Sequence, residues 1–155
     1  RKHVQDTQAE TKKIIDTLKR ICLLHMQKIS FVAKELNTSA ILLKTKPYPS
    51  LKLAFESNFC NEYSVHLKEI PKGMHIEGIC TTSIRENNDL QFLYINNRYI
   101  EHSLLHNFIE RKLTRKSVFG EKKHPIFIIN IHLNPNEFDI SISLTKREVV
   151  ITVRL

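Results

Sequence analysis

Two apolar runs separated by an amphipathic stretch dictate the topology of the second half of this chain: QFLYINNRYI at residues 91–100 and IFIINIHL at residues 126–133. The second run has the continuous apolar character of a strand buried on both faces, and so belongs in the interior of a sheet. Between them Leu105, Phe108, Ile109 and Leu113 recur at helical spacing. A helix over residues 102–116 is expected, with those four side chains on one face and Glu110, Arg111 and Lys112 on the other. Strand, helix, strand in this order requires a crossover connection.

The first half alternates in the same way, without repeats or a Gly/Ser linker. Thr7 and Glu10 have the spacing of a capping box, and Ile14, Ile15, Leu18, Ile21 and Cys22 follow with helical period, which predicts a helix over residues 8–25. Short strands are expected at 29–33 and 40–44, a Pro47/Pro49 break, and a helix capped by Ser50 and running to Phe59. Runs at 63–70 and 74–82 flank Pro71, Lys72 and Gly73, the residues of a hairpin turn, and the polar stretch 85–89 makes the next loop. The fold class is α/β (α+β): a mixed sheet covered by helices mainly on one face.

A length of 155 residues is enough for one domain with its own core and short for two. At 41% hydrophobic and 26% charged residues, the composition is that of a globular chain. No apolar run approaches the roughly 20 residues that span a bilayer, and residues 1–13 are too polar for a signal peptide, so a soluble, unsecreted protein with no membrane partner is expected. Cys22, Cys60 and Cys80 are odd in number and form no C-x-x-C pair; a reducing compartment and no cysteine chemistry follow.

Lys and Arg outnumber Asp and Glu by 24 to 16, a net charge of +8 that favours polyanionic partners. The cations cluster at Arg111, Lys112, Arg115, Lys116, Lys122 and Lys123. Other constellations lack essential parts. His102 and His106 have the i, i+4 spacing of a zinc helix, but Ser103 stands where the general-base Glu is needed and no third ligand is evident, so no metal is expected. Neither a nucleophile elbow nor a Walker-type loop is present.

The succession QFLYINNR, helix, HPIFIINIHLNPNEFDISISLTKREVVI resembles the MutL family of DNA mismatch repair proteins, in which an "FVNGR"-like strand is followed by "HP", an apolar strand and a "VDVNVHPTKREV"-like segment. The opening residues 1–31 resemble the family's "RRKFL" start and the long helix behind it. Two departures stand out. Asn97 occupies the place of the Gly in "NGR", and Ser141, Ile142, Ser143 and Leu144 replace "NVHP". Asn tolerates the left-handed conformation better than most residues, so the turn at Asn97 is expected to survive.

The resemblance implies a transducer domain with the fold of the second domain of a ribosomal small-subunit protein. It implies a GHKL-type ATPase domain upstream, and both that domain and any C-terminal dimerisation domain are absent from these 155 residues. The fragment alone is not expected to be catalytic and binds no cofactor; the parent is expected to be a MutL-type ATPase using ATP with Mg2+. Lys146 matches the lysine that reaches across the domain boundary to the terminal phosphate of ATP, a role suited to a compact ammonium. Arg98 matches the arginine that meets the DNA backbone, and Arg111, Arg115 and Lys116 would extend that surface. His124 matches the "HP" and reads as structural; Asp139 matches the aspartate that organises the following loop.

Implied partners are non-specific DNA, a second MutL-family subunit as homo- or heterodimer, and MutS-type mismatch recognition proteins. Localisation would be nuclear in a eukaryote and cytoplasmic in a bacterium, with the nucleus favoured. The rival reading is an RNA-binding or ribosome-associated module of the same fold; only the repair reading has a use for the TKREV segment.

Overall fold

The computed structural model describes residues 2–59, 67–70, 75–114, 124–134, 136, 138–139 and 150–151. The chain forms two compact units, Arg1–Asn61 and Glu62–Leu155.

In the first unit, α1 (Lys2–Cys22) continues into a 3-10 turn (Leu23–His25). The helix starts upstream of the expected residue 8: Lys2–Asp6 are compatible with a helix, but with Val4 their one apolar residue they carry no apolar period that would reveal it. Thr7 is therefore an interior residue and not a cap; its carbonyl accepts from the Thr11 hydroxyl at 2.9 Å. The strands β1 (Val32–Lys34) and β2 (Ile41–Lys44) pair antiparallel, and α2 (Leu51–Phe59) is capped as expected, the Ser50 hydroxyl accepting from the Leu53 N–H at 3.2 Å. Leu23, Met26, Ala54 and Phe55 are fully buried. Asn58 donates to the Ala54 carbonyl at 2.8 Å, and Phe31 and Thr45 exchange two 2.9 Å bonds, closing the polar groups around this core. Burial pushes the Cys22 thiol above its ordinary value, which suits a packing role rather than a reactive one.

The second unit is built on a five-stranded mixed sheet in the order β3-β4-β7-β5-β6, with β3 at Leu67–Ile70, β4 at Ile76–Arg85, β5 at Gln91–Ile95, β6 at Arg98–Ile100 and β7 at His124–Ile131. The expected hairpin forms: Leu67 faces Thr81 and Ile70 faces Gly78. Its turn residues Pro71, Lys72 and Gly73 lie outside the described residues. β4 runs on to Arg85, past the expected end at residue 82, through a bulge between Cys80 and Ile84. Beyond the bulge Ile84 faces Pro125 and Arg85 faces His124, at the start of β7.

β7 lies at the centre, antiparallel to β4 and parallel to β5, as the apolar run and the crossover required. The crossover helix is α3 (Ser103–Leu113). It stops short of residue 116: Thr114 is already extended and gives its N–H to the Glu110 carbonyl. Leu105, Ile109 and Leu113, each partly buried, pack on Leu93, Ile95, Ile100, Phe127 and Ile129, each contributing less than the roughly 1.5–3 kcal/mol of a fully buried aliphatic side chain. Phe108 is not part of this face. It is 51% exposed, because a 100° step carries it to the flank of the helix, where the Lys112 ammonium sits 5.6 Å from its ring centroid.

Strand parity gives the opposite face of the sheet Phe92, Tyr94, Tyr99, Ile126 and Ile128, all buried, with Tyr99 edge-on to both Phe92 and Tyr94. A separate pair, β8 (Phe138–Asp139) and β9 (Val150–Ile151), runs antiparallel.

Candidate nucleic-acid interface

Arg98 opens β6 and is exposed. It follows a two-residue turn that joins β5 to β6, with Ile95 and Arg98 as cross-strand partners. Both turn residues are left-handed, Asn96 at φ 48° and Asn97 at φ 67°. Positive φ at both central positions is the geometry that matches the natural twist of paired strands, and Asn is among the few non-Gly residues that accept it. The exchange of Gly for Asn97 thus leaves the turn intact.

This turn is fastened to β7 at two points. Asn96 gives its N–H to the Ile131 carbonyl at 2.9 Å, and its side chain continues the ladder beyond the strand end: Nδ2 donates to the Leu133 carbonyl at 2.9 Å and Oδ1 accepts from the Leu133 N–H at 3.0 Å. The N–H of Asn97 donates to Oδ1 of Asn130 at 3.0 Å, and Nδ2 of Asn130 donates back to Oδ1 of Asn97 at 2.8 Å.

Asn130 is 1% exposed. Its amide also donates to Glu77 Oε1 at 3.1 Å, and Glu77 in turn holds Nε2 of His132 at 2.9 Å. The sequence assigned no role to Asn130, Glu77 or His132, His132 being read as flanking an uninterrupted apolar strand. The available signal was two polar residues at i, i+2 inside that run, a period that puts both on one face of a strand.

Among the other proposed contacts, Arg111 is exposed in the last turn of α3, where its Nε donates to the Asn107 carbonyl at 3.3 Å. Arg98 and Arg111 do not meet. Arg98 is level with Ile95 and hence with Ile131, whereas Glu110, beside Arg111, bonds His124 at the other end of β7. A strand of that length separates its ends by roughly 20 Å, so the two cations would meet phosphates well apart on a duplex. Arg115, Lys116, Lys122, Lys123 and Lys146 lie outside the described residues, Lys146 in the segment that joins β8 to β9.

His102 is the N-cap of α3, its Nδ1 accepting from the Leu105 N–H at 3.1 Å, and His106 lies 5.3 Å from the Phe127 ring. Glu110, expected on the outer face, turns to His124. No group of metal-ligating side chains is found among the described residues, and no described helix is long and apolar enough to cross a membrane.

The chain is 26% identical to the DNA mismatch repair protein MutL of Histophilus somni over 96% of its length, and spans about 25% of that protein. A solved structure of the N-terminal domain of a DNA repair protein superposes with a TM-score of 0.69 at 19% identity, covering 97% of this chain and 50% of that one. The Aquifex aeolicus MutL ATPase domain, solved with ADP, superposes with a TM-score of 0.53 at 19% identity, over 83% of this chain and 44% of that one. These two likenesses bear on the fold and agree with the mixed-sheet architecture. The RNA-binding alternative gains no support from the comparisons, and the named relatives, being bacterial, give none to a nuclear location. Residues 51–154 match the family described as DNA mismatch repair protein, C-terminal domain, and the chain belongs to the MutL family of DNA mismatch repair proteins.

Proposed function

We propose that these 155 residues act as one transducer domain of a MutL-type mismatch repair protein, coupling the nucleotide state of an upstream ATPase domain to contact with DNA and to subunit dimerisation. The observation that carries the reading is the family match over residues 51–154, which includes the turn presenting Arg98. Arg98 contacts a backbone phosphate, with Arg111, Arg115 and Lys116 adding further cations. Guanidinium donors fit phosphate oxygens, and such contacts fix register without reading sequence. Lys146 reaches the terminal phosphate of ATP held with Mg2+ in the parent protein, a reading supported by the TKREV match; the ADP bound to the similar ATPase domain supports nucleotide binding by the parent.

The partners on this reading are a second MutL-family subunit and a MutS-type recognition protein, and the protein works in whichever compartment holds the DNA. Binding is expected to be independent of sequence and to weaken as salt rises, because each neutralised phosphate releases condensed counterions. Fluorescence anisotropy on several unrelated duplexes over a salt series tests it. Arg98→Glu should lower affinity to a similar degree on all of them, and Arg98→Ala should reduce the salt slope by about one unit. Unchanged affinity and slope in a folded Arg98→Glu protein would overturn the DNA-contact reading.

A further inference from the structure

We infer that Asn130 is a positioning residue for phosphate binding at Arg98, acting through the Asn96–Asn97 turn; the inference rests on the DNA-contact reading of Arg98.

The argument begins with cost. Asn130 occupies the central strand, on the face whose other members include Phe92, Tyr94, Ile126 and Ile128, and is 1% exposed. A buried amide there is unfavourable unless its hydrogen bonds are made, and an aliphatic side chain would suit the strand better. The amide is satisfied in one orientation only. Oδ1 must face the Asn97 N–H, since a flipped amide would set its NH2 against another donor. Both remaining Nδ2 hydrogens are then directed, one at Asn97 Oδ1 and one at Glu77 Oε1. Glu77 belongs to β4 on the far side of β7, so Asn130 ties the turn between β5 and β6 to β7 and, across it, to β4.

The position of the turn is what Arg98 needs. An arginine side chain loses considerable rotamer freedom when it fixes on a phosphate, and a backbone held in place beforehand removes the further cost of ordering a loop. Arg98 is the residue immediately after the clamped Asn97. With the Asn130 amide gone, the Asn97 N–H loses its acceptor while the rest of the hairpin keeps its strand pairing, so the loss falls on where Arg98 sits.

The test is a double-mutant cycle in the full-length protein, read by anisotropy on duplex DNA over a salt series, with urea unfolding as the folding control. Arg98→Ala should lower the salt slope by about one unit. Asn130→Leu should lower both slope and affinity in the same direction, and the Asn130→Leu/Arg98→Ala double variant should bind as Arg98→Ala does. A purely structural Asn130 would lower stability and leave the slope unmoved, and that result overturns the proposal while leaving Arg98 as a DNA contact. Additive losses in the double variant overturn it equally. An unmoved slope in Arg98→Ala removes the DNA-contact reading and this proposal with it. Where Asn130→Leu does not fold, Asn130→Ser decides: the shorter side chain keeps a polar group in the strand but deletes the Oδ1 that accepts from the Asn97 N–H. A reduced slope that vanishes in the Arg98→Ala background supports the proposal, and an unchanged slope overturns it.

Discussion

Glu110 in α3 and Nδ1 of His124 at the start of β7 form a hydrogen-bonded pair whose side chains are only 16% and 11% exposed. The pair joins the crossover helix to the strand it leads into. Removing one member leaves the other desolvated without its partner, which costs about 1–3 kcal/mol. Glu110→Ala is therefore expected to destabilise the protein by that amount in urea unfolding. Arg111→Ala, one residue further on an exposed face, should change stability by less than about 0.5 kcal/mol. Equal effects would show that the pair does not hold helix to sheet.

Gly78 stands at φ +152°, and a Cβ built on it overlaps the carbonyl oxygen of Ile128 on the neighbouring strand. That neighbour is backbone in the central strand and cannot move aside without disturbing the β4–β7 ladder. Gly78→Ala is expected to cost about 1–3 kcal/mol, the range for forcing extra volume into a packed interior. A fall in the denaturation midpoint with an unchanged slope is the expected signature; a neutral result would place the two strands further apart than described.

The left-handed pair Asn96 and Asn97 predicts an asymmetric response to substitution. Asn96→Val introduces a β-branched residue at positive φ and removes both side-chain bonds to Leu133, so a loss of at least about 1–2 kcal/mol is expected from the backbone alone. Asn97→Gly relieves backbone strain while losing one acceptor, and should stay within about 1 kcal/mol of the parent. Thermal unfolding of the two variants side by side checks the order; the reverse order would mean that the turn is not of this type.

For Lys146 the expected outcome concerns turnover. In the full-length protein Lys146→Ala should slow ATP hydrolysis more than it weakens DNA binding, because the proposed contact is with a nucleotide phosphate and not with the duplex. Steady-state hydrolysis and anisotropy on the same preparation separate the two effects. Unchanged turnover removes Lys146 from the nucleotide site.

The sequence by itself determined the framework of the second unit. An apolar run long enough for a strand, an amphipathic helix before it and another strand before that admit few arrangements, and β5, α3 and β7 adopt the crossover they required. Local chemistry was also legible: Ser50 caps α2, and Asn97 accepts the left-handed turn in place of glycine. These features depend on residues within a few positions of one another, where periodicity and backbone preference act directly. What only the tertiary structure decided is which polar side chains meet. Asn130 and Glu77 lie 53 residues apart, and Asn97 and Asn130 33 apart. The register of β4 and β5 on β7 sets those meetings. Hydrophobic pattern specifies which face of a strand is buried, but a slip of two residues would preserve that pattern and separate every one of these partners. The same register put Arg98 at one end of the sheet and Arg111 toward the other, although both carry the charge that drew attention to them in the sequence.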